Sequence, residues 1–172
     1  KHVIYEGGVR VPLIASWKGN IPAGTESAQV VSSVDLMATL GEIIGYHFDH
    51  REYIEDSLSI APVLLGKQPT DQPVRPPVVS TSAIGTVMIR DGDFKVIEGR
   101  ERIPQLMQHV KKQYEWWGAE NSKQVYNLSK DISEERNIFV ERRDVHDRLT
   151  AYLNRLRRDG SSKGFDPVDY PK

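Results

Sequence analysis

The sequence predicts an α+β fold, and three observations carry that expectation. Apolar residues recur at helical spacing twice: Val34, Leu36, Met37, Leu40, Ile43 and Ile44 form one set, and Val145, Leu149, Tyr152, Leu153 and Leu156 form the other. Between these helices lie three short runs of strand character, Val78 to Ser82, Thr86 to Arg90 and Phe94 to Ile97, and Asp91-Gly92 separates the last two with hairpin chemistry. The length of 172 residues, with 38% hydrophobic and 27% charged residues, suits one folded domain or one with a small satellite. It lies far from the composition of a disordered tail.

In chain order, Val9 to Trp17 is an apolar run of strand length between Gly7-Gly8 and Gly19, with Pro12 near its start, where a missing amide proton is tolerated. It reads as a buried strand. Pro22 and Gly24 mark a surface turn. The first helix then has Ser32 or Ser33 as its N-cap, Asp35 in its first turn and Gly45 as its stop. Pro69, Pro73, Pro76 and Pro77 make the clearest boundary, so the expected division is residues 1–66 and residues 67–172. Residues 100–124 fit a short helix or a long loop equally. Val125, Tyr126 and Leu128 suggest a last strand, and Asp131 and Glu134 stand at capping-box spacing ahead of the terminal helix.

Charge and composition exclude several classes of function. With 23 Lys and Arg against 24 Asp and Glu, the net charge is −1, without the basic excess of a nucleic-acid binder. No run of 18 apolar residues is present to form a membrane span. With no cysteine, thiolate metal sites and Cys nucleophiles are excluded within these residues. The chain opens on Lys1, with neither a Met nor a basic-then-apolar leader, and is expected to be cut from something longer.

Taken alone, the candidate sites are sparse. His47, Asp49, His50 and Glu52 bring four possible metal ligands together, but their polar, helix-breaking context reads as a solvated loop, so no metal site is assigned. Trp116 and Trp117, inside the Lys111 to Lys123 run, suit either stacking on sugars or bases or the cover of a sheet. The arginines at 142, 143, 148, 155, 157 and 158 alternate with Glu141, Asp144 and Asp147, the pattern of a solvated face laced with ion pairs.

The informative residues lie at the start. Lys1-His2-Val3-Ile4-Tyr5-Glu6-Gly7-Gly8-Val9-Arg10-Val11-Pro12 resembles the Lys-x-x-x-aromatic-Glu-Gly-Gly-x-Arg-x-Pro signature of the arylsulfatase family, in the alkaline-phosphatase-like superfamily. The likeness continues in order. Trp17, Gly19 and Gly24 resemble the family's Trp-Gly turn, Ser33-Val34-Asp35-Leu36 with Thr39-Leu40 its Val-Asp-Leu helix, and Glu55-Asp56-Ser57 through Pro62, Leu64, Leu65 and Gly66 a segment of many bacterial members. Ile89 through Ile97 is similar to the family's Ile-Arg-x-Gly-x-Trp-Lys hairpin, with Phe94 in place of Trp, and Val125-Tyr126-Asn127-Leu128 with Asp131, Glu134 or Glu135, and Asn137 is similar to its closing motif.

The resemblance implies a C-terminal portion of a sulfatase. Its fold would be the last strand and helix of the large α/β catalytic domain, over residues 1–66, followed over 67–172 by a small antiparallel sheet with a packed C-terminal helix. The intact parent would hydrolyse sulfate esters, aryl or carbohydrate, with a formylglycine nucleophile and a calcium ion; no Cys/Ser-x-Pro-x-Arg motif occurs in this chain, which is expected to be inactive alone and to hold no cofactor. Lys1 matches the lysine that contacts the substrate sulfate, and His2 is a further candidate for substrate contact. Glu6 and Arg10 either hold the turn at Gly7-Gly8 by pairing or face the substrate. Ser80, Thr81 and Ser82 stand where related bacterial enzymes often have His ahead of the hairpin, a departure that bears on substrate specificity.

Expected partners are a sulfated small molecule or glycan, and the rest of a sulfatase or a second copy over the apolar surface; no nucleic acid or membrane is expected. Such a half-domain would expose the run Val11 to Trp17 and the inner face of the Val34 helix. The resemblance favours a periplasmic or secreted location. Two other readings stand beside it: a phosphodiester or phosphonate hydrolase of the same superfamily, and a non-catalytic module that binds glycans or a partner through Trp116 and Trp117.

Overall fold

The hairpin that Asp91-Gly92 predicts forms the centre of the fold. In a computed structural model of the protein, which describes residues 3–48, 54, 56–82, 85–99 and 123–160, strand β2 (Val87–Asp91) pairs antiparallel with β3 (Phe94–Glu98), with Asp91 opposite Phe94. A two-residue loop remains. Gly92 takes φ 53°, the left-handed conformation that such a loop requires and that a side chain disfavours. Strand β4 (Lys123–Asn127) pairs antiparallel with β3, and β1 (Val78–Thr81) flanks β2, giving the order β1-β2-β3-β4.

The pleat sorts this sheet into two faces, since side chains alternate along each strand. Ile89, Val96 and Val125 lie opposite one another across three strands and are fully buried. Asp91 and Phe94, two residues along, meet the terminal helix and the residue before it: Arg148 donates to the Asp91 carboxylate at 2.8 Å, and the guanidinium of Arg142, just ahead of the helix, lies 4.4 Å from the centre of the Phe94 ring. That helix is Arg143–Asp159, with Val145, Leu149, Tyr152 and Leu153 buried in one stripe, as the periodicity predicts. The opposite face carries Arg90, Lys95, Tyr126, Ile97 and Gln124.

The fold is thus α+β, a four-stranded antiparallel sheet with helices, and the contacts divide it into two units. Residues Lys1–Val11 and Val79–Arg155 form the first, Pro12–Val78 and Leu156–Lys172 the second. This differs from a division after residue 66. The reason is local: residues 4–10 pack against the sheet through buried side chains of Ile4, Tyr5 and Glu6, so they group with the strands far along the chain.

In the second unit, helix α2 (Asp35–Ile43) and the short α3 (Ala61–Leu64) are joined by polar bonds. The Asp35 carboxylate is fully buried; it accepts from the Ser32 and Leu58 amides and pairs with Arg75 Nη1, 2.5 Å from both oxygens. Thr39 Oγ1 donates to the Asp35 carbonyl and accepts from the Ile60 amide, while Ser57 Oγ accepts from Ala38. No Ser32 or Ser33 side chain caps α2; Val34 is the N-cap, and the Asp35 carboxylate reaches back to the Ser32 amide, which ties the entering chain to the first turn.

Two sequence-based expectations need correction here. Residues 10–17 form no strand. They run irregularly with Val11, Leu13, Ile14 and Trp17 exposed, Ile14 by 90%, because the strands of the described sheet offer them no backbone partner. Asp131 and Glu134 form no capping box. Asp131 instead closes a turn by accepting from the Glu135 and Arg136 amides, and the helix begins only at Arg143. The exposure of Val11 to Trp17, and of Val34, Leu36, Met37, Leu40 and Ile44 on α2, agrees with the surface expected of a half-domain.

Candidate functional site

Lys1 and His2, the residues assigned to catalysis and substrate contact, lie outside the described residues, as do Asp49, His50 and Glu52 of the loop and Trp116 and Trp117. The motif that follows Lys1 is described from Val3 onward, and it is anchored from several sides. Ile4 and Tyr5 are buried, and Glu6–Val9 winds into a single helical turn, α1. Gly8 is needed there by close approach. Its amide donates to the Tyr5 carbonyl at 2.7 Å, and a Cβ on Gly8 would stand 2.2 Å from the Val3 carbonyl oxygen.

Glu6 is the centre of a buried ionic cluster. Lys95 on β3, with no exposed surface, places its ammonium 3.0 Å from Glu6 Oε1 and 2.8 Å from Glu134 Oε1. The Glu6 main-chain amide donates to the other oxygen of Glu134. Arg10 and Arg90 each stand 3.6 Å from Glu6 Oε2. Burying an ammonium in this way costs several kcal/mol unless carboxylates meet it at close range, and here two do. Burial pushes the Glu134 carboxyl above its usual range, more strongly than Lys95 pulls it down.

Beside the cluster, Gln124 Oε1 accepts from two phenols, Tyr5 at 2.9 Å and Tyr126 at 2.8 Å. The Tyr126 phenol is pushed far up by burial and by neighbouring anionic groups, so it stays protonated and acts as a donor. The two rings meet edge to face, 6.4 Å between centres. Tyr5, Gln124 and Tyr126 hold the same stretch of chain on the same face of the sheet.

Of the two roles open to Glu6 and Arg10, the geometry supports pairing for Glu6, which is buried against Lys95. Arg10 is more than half exposed. Lys95 receives no role from the sequence and Glu134 only a capping-box place that the structure does not bear out, although both stand in segments that carry the resemblance. Glu134 does have one backbone peculiarity: its φ of 58° is the only positive value at a described non-glycine residue. Ser82 serves the chain's own turn, accepting from the Thr86 amide. Among the described residues no three His, Cys, Asp or Glu side chains are grouped to hold a metal ion, and no helix is long and apolar enough to cross a membrane. The terminal helix and the residue before it carry ion pairs, Arg142 with Asp144 and Arg148 with Asp91.

Known proteins resemble the chain in sequence and in fold. A sulfatase of Formosa agariphila is 30% identical across 100% of this chain, and an N-acetylgalactosamine-6-sulfatase of Canis lupus familiaris is 40% identical over 74 residues, 43% of the chain. The chain spans 32% and 14% of the lengths of these relatives. A protein solved in complex with its substrate D-glucosamine-2-N,6-O-disulfate shares the fold at a TM-score of 0.57 and 22% identity, over 88% of this chain and 28% of that one. No family model matches the chain. In sequence the chain is similar to sulfatases, arylsulfatase A among them, over part of their length, consistent with a C-terminal portion, and in fold it resembles the solved protein just described.

Proposed function

We propose that this chain is part of a longer enzyme that hydrolyses sulfate esters of a carbohydrate or aryl group. One observation carries the reading. Glu6, Lys95 and Glu134 come from three segments, each matched to the family on its own, and in this chain they meet in one buried cluster, so the three matched segments act as one packed unit. In this reading Lys1 contacts the sulfate, and its ammonium offsets charge that builds on the sulfuryl oxygens and the leaving alkoxide as the S–O bond breaks. His2 lines the same substrate site.

The formylglycine nucleophile and the calcium ion that the resemblance implies would be supplied by the rest of the enzyme. The described residues offer no cation site, and no step of this chain's chemistry is routed through them. When bound, calcium would supply a positive charge toward the sulfate oxygens. The substrate class follows the relatives, one named for N-acetylgalactosamine 6-sulfate and another solved with a disulfated glucosamine. A periplasmic or secreted location fits a substrate of that kind.

The test is hydrolysis of an aryl sulfate by the full-length protein and by the 172-residue chain. Only the full-length protein should turn over, and Lys1→Ala should lower its turnover by about 10²–10³-fold. Activity in the isolated chain, or an unchanged rate in Lys1→Ala, would overturn the assignment. Hydrolysis of an aryl phosphodiester in preference to the sulfate would move the enzyme to another branch of the superfamily.

A further inference from the structure

We infer that Lys95 is a positioning residue for the substrate-contacting segment: through Glu6 and Glu134 it fixes the backbone that, five residues upstream, carries Lys1. This rests on the sulfatase reading of Lys1. The argument begins with what α1 lacks. A helical turn of four residues has almost no stability of its own; Ile4 holds it through apolar contacts that tolerate sliding, and Tyr5 adds a hydrogen bond to Gln124 from the end of a long side chain. The ionic contacts do not tolerate sliding.

Glu6 is held at two points by one pair of partners. Its side chain meets the Lys95 ammonium at 3.0 Å, and its amide donates to the carboxylate of Glu134, which the same ammonium holds at 2.8 Å. Two fixed points on one residue set both the place and the direction of the chain. Lys95 is itself immobile, on the central strand β3 between β2 and β4, fully buried. Glu134 keeps its position at a φ that side chains rarely adopt. Arg90, on β2 opposite Lys95, stands by the remaining oxygen of Glu6, so the segment is tied to two strands.

Replacing the whole cluster by apolar side chains is tolerated in many proteins, but an apolar side chain at Lys95 alone leaves Glu6 and Glu134 buried without the ammonium they share, at a cost in stability. What is also lost is the placement. Removing the ammonium takes away the group that holds the Glu6 side chain and the Glu134 carboxyl together, which frees both and moves the Glu6 amide with them. Displacement of a substrate-positioning group by about 1 Å costs on the order of 10²-fold in rate. Lys95 touches no reacting atom in this account; its effect reaches the chemistry only through Lys1.

The decisive experiment is a double-mutant cycle in the full-length protein. Lys95→Met should lower kcat by about 10²-fold with KM little changed, while in a Lys1→Ala background the same substitution should change kcat by no more than about threefold, because both act through one group. Lys95→Met/Glu134→Gln replaces the carboxyl left without its cation by a neutral side chain and keeps an acceptor for the Glu6 amide, so it should recover at least about tenfold of the loss; it also serves if Lys95→Met does not fold. Equal losses with and without the Lys1→Ala change would show a merely structural role and overturn the proposal. If the wild-type protein hydrolyses no sulfate ester, the sulfatase reading fails on its own, and hydrogen exchange still reads the clamp. The amides of Glu6, Gly8, Val9 and Arg10 should then exchange faster in Lys95→Met while those of Val96 and Val125 do not; unchanged exchange would overturn it.

Discussion

In the unit that holds the sheet, Ile89, Val96 and Val125 align across three strands without exposed surface; in the other unit, helix α2 turns Val34, Met37, Leu40 and Ile44 outward and buries Asp35, Ala38 and Thr39. Ile44 is 76% exposed. Both units bury an ion pair, Lys95 with Glu6 and Glu134 in the first and Asp35 with Arg75 in the second. The difference lies in what surrounds the pair. Around Lys95 an apolar sheet already supplies the driving force, so the charges orient; around Asp35 the hydroxyls of Ser57 and Thr39 and several backbone amides do much of the holding.

Three experiments test that contrast. The largest effect is expected from Asp35→Ala, which leaves Arg75 buried without its carboxylate and two amides without an acceptor. Its cost should be about 3–5 kcal/mol in denaturant unfolding; a loss below about 1 kcal/mol would mean that apolar packing holds this unit after all. Next, the same truncation should give opposite results in the two units. Leu149→Ala, at a fully buried position, should cost about 2–5 kcal/mol, and Leu40→Ala, on the outward face of α2, should stay within about 0.5 kcal/mol. Equal costs would erase the distinction.

The smallest effect concerns acid. Since burial raises the Glu134 carboxyl, the native state keeps a proton there at a pH where the unfolded chain, near its ordinary value of 4.5, has released it. The native state therefore binds more protons, and this contribution to stability is present below pH 4.5 and is lost as pH rises through the raised value. Melting temperatures measured against pH should show that decline in the wild-type protein and a flatter profile in Glu134→Gln. Parallel profiles would place the titration elsewhere.

How far the sequence could be read follows from how local each signal is. The hairpin of β2 and β3 was legible because Asp91-Gly92 acts within its own four residues, and the terminal helix because its stripe repeats over several turns. Val9 to Trp17 misled for the opposite reason. Its composition suits a buried strand, but a strand exists only where a neighbour supplies hydrogen bonds, and none of β1 to β4 does so. At the site, Glu6 and Arg10 could be named because they stand in a compact motif, whereas Lys95 and Glu134 lie 89 and 128 residues from Glu6. Lys1, the residue on which the proposed chemistry turns, rests on the motif alone.

The sequence by itself determined the α+β class, the antiparallel hairpin, the amphipathic terminal helix and the likeness to arylsulfatases, all of which depend on spacing over a few residues or on motifs in order. Tertiary structure alone decided which face of α2 is covered, that residues 4–10 group with the sheet, and that Glu6 shares a buried ammonium with Glu134. The physical reason is the same in each case. Burial and ion pairing are properties of what surrounds a residue, and for Glu6, Lys95 and Asp35 the surroundings come from distant parts of the chain.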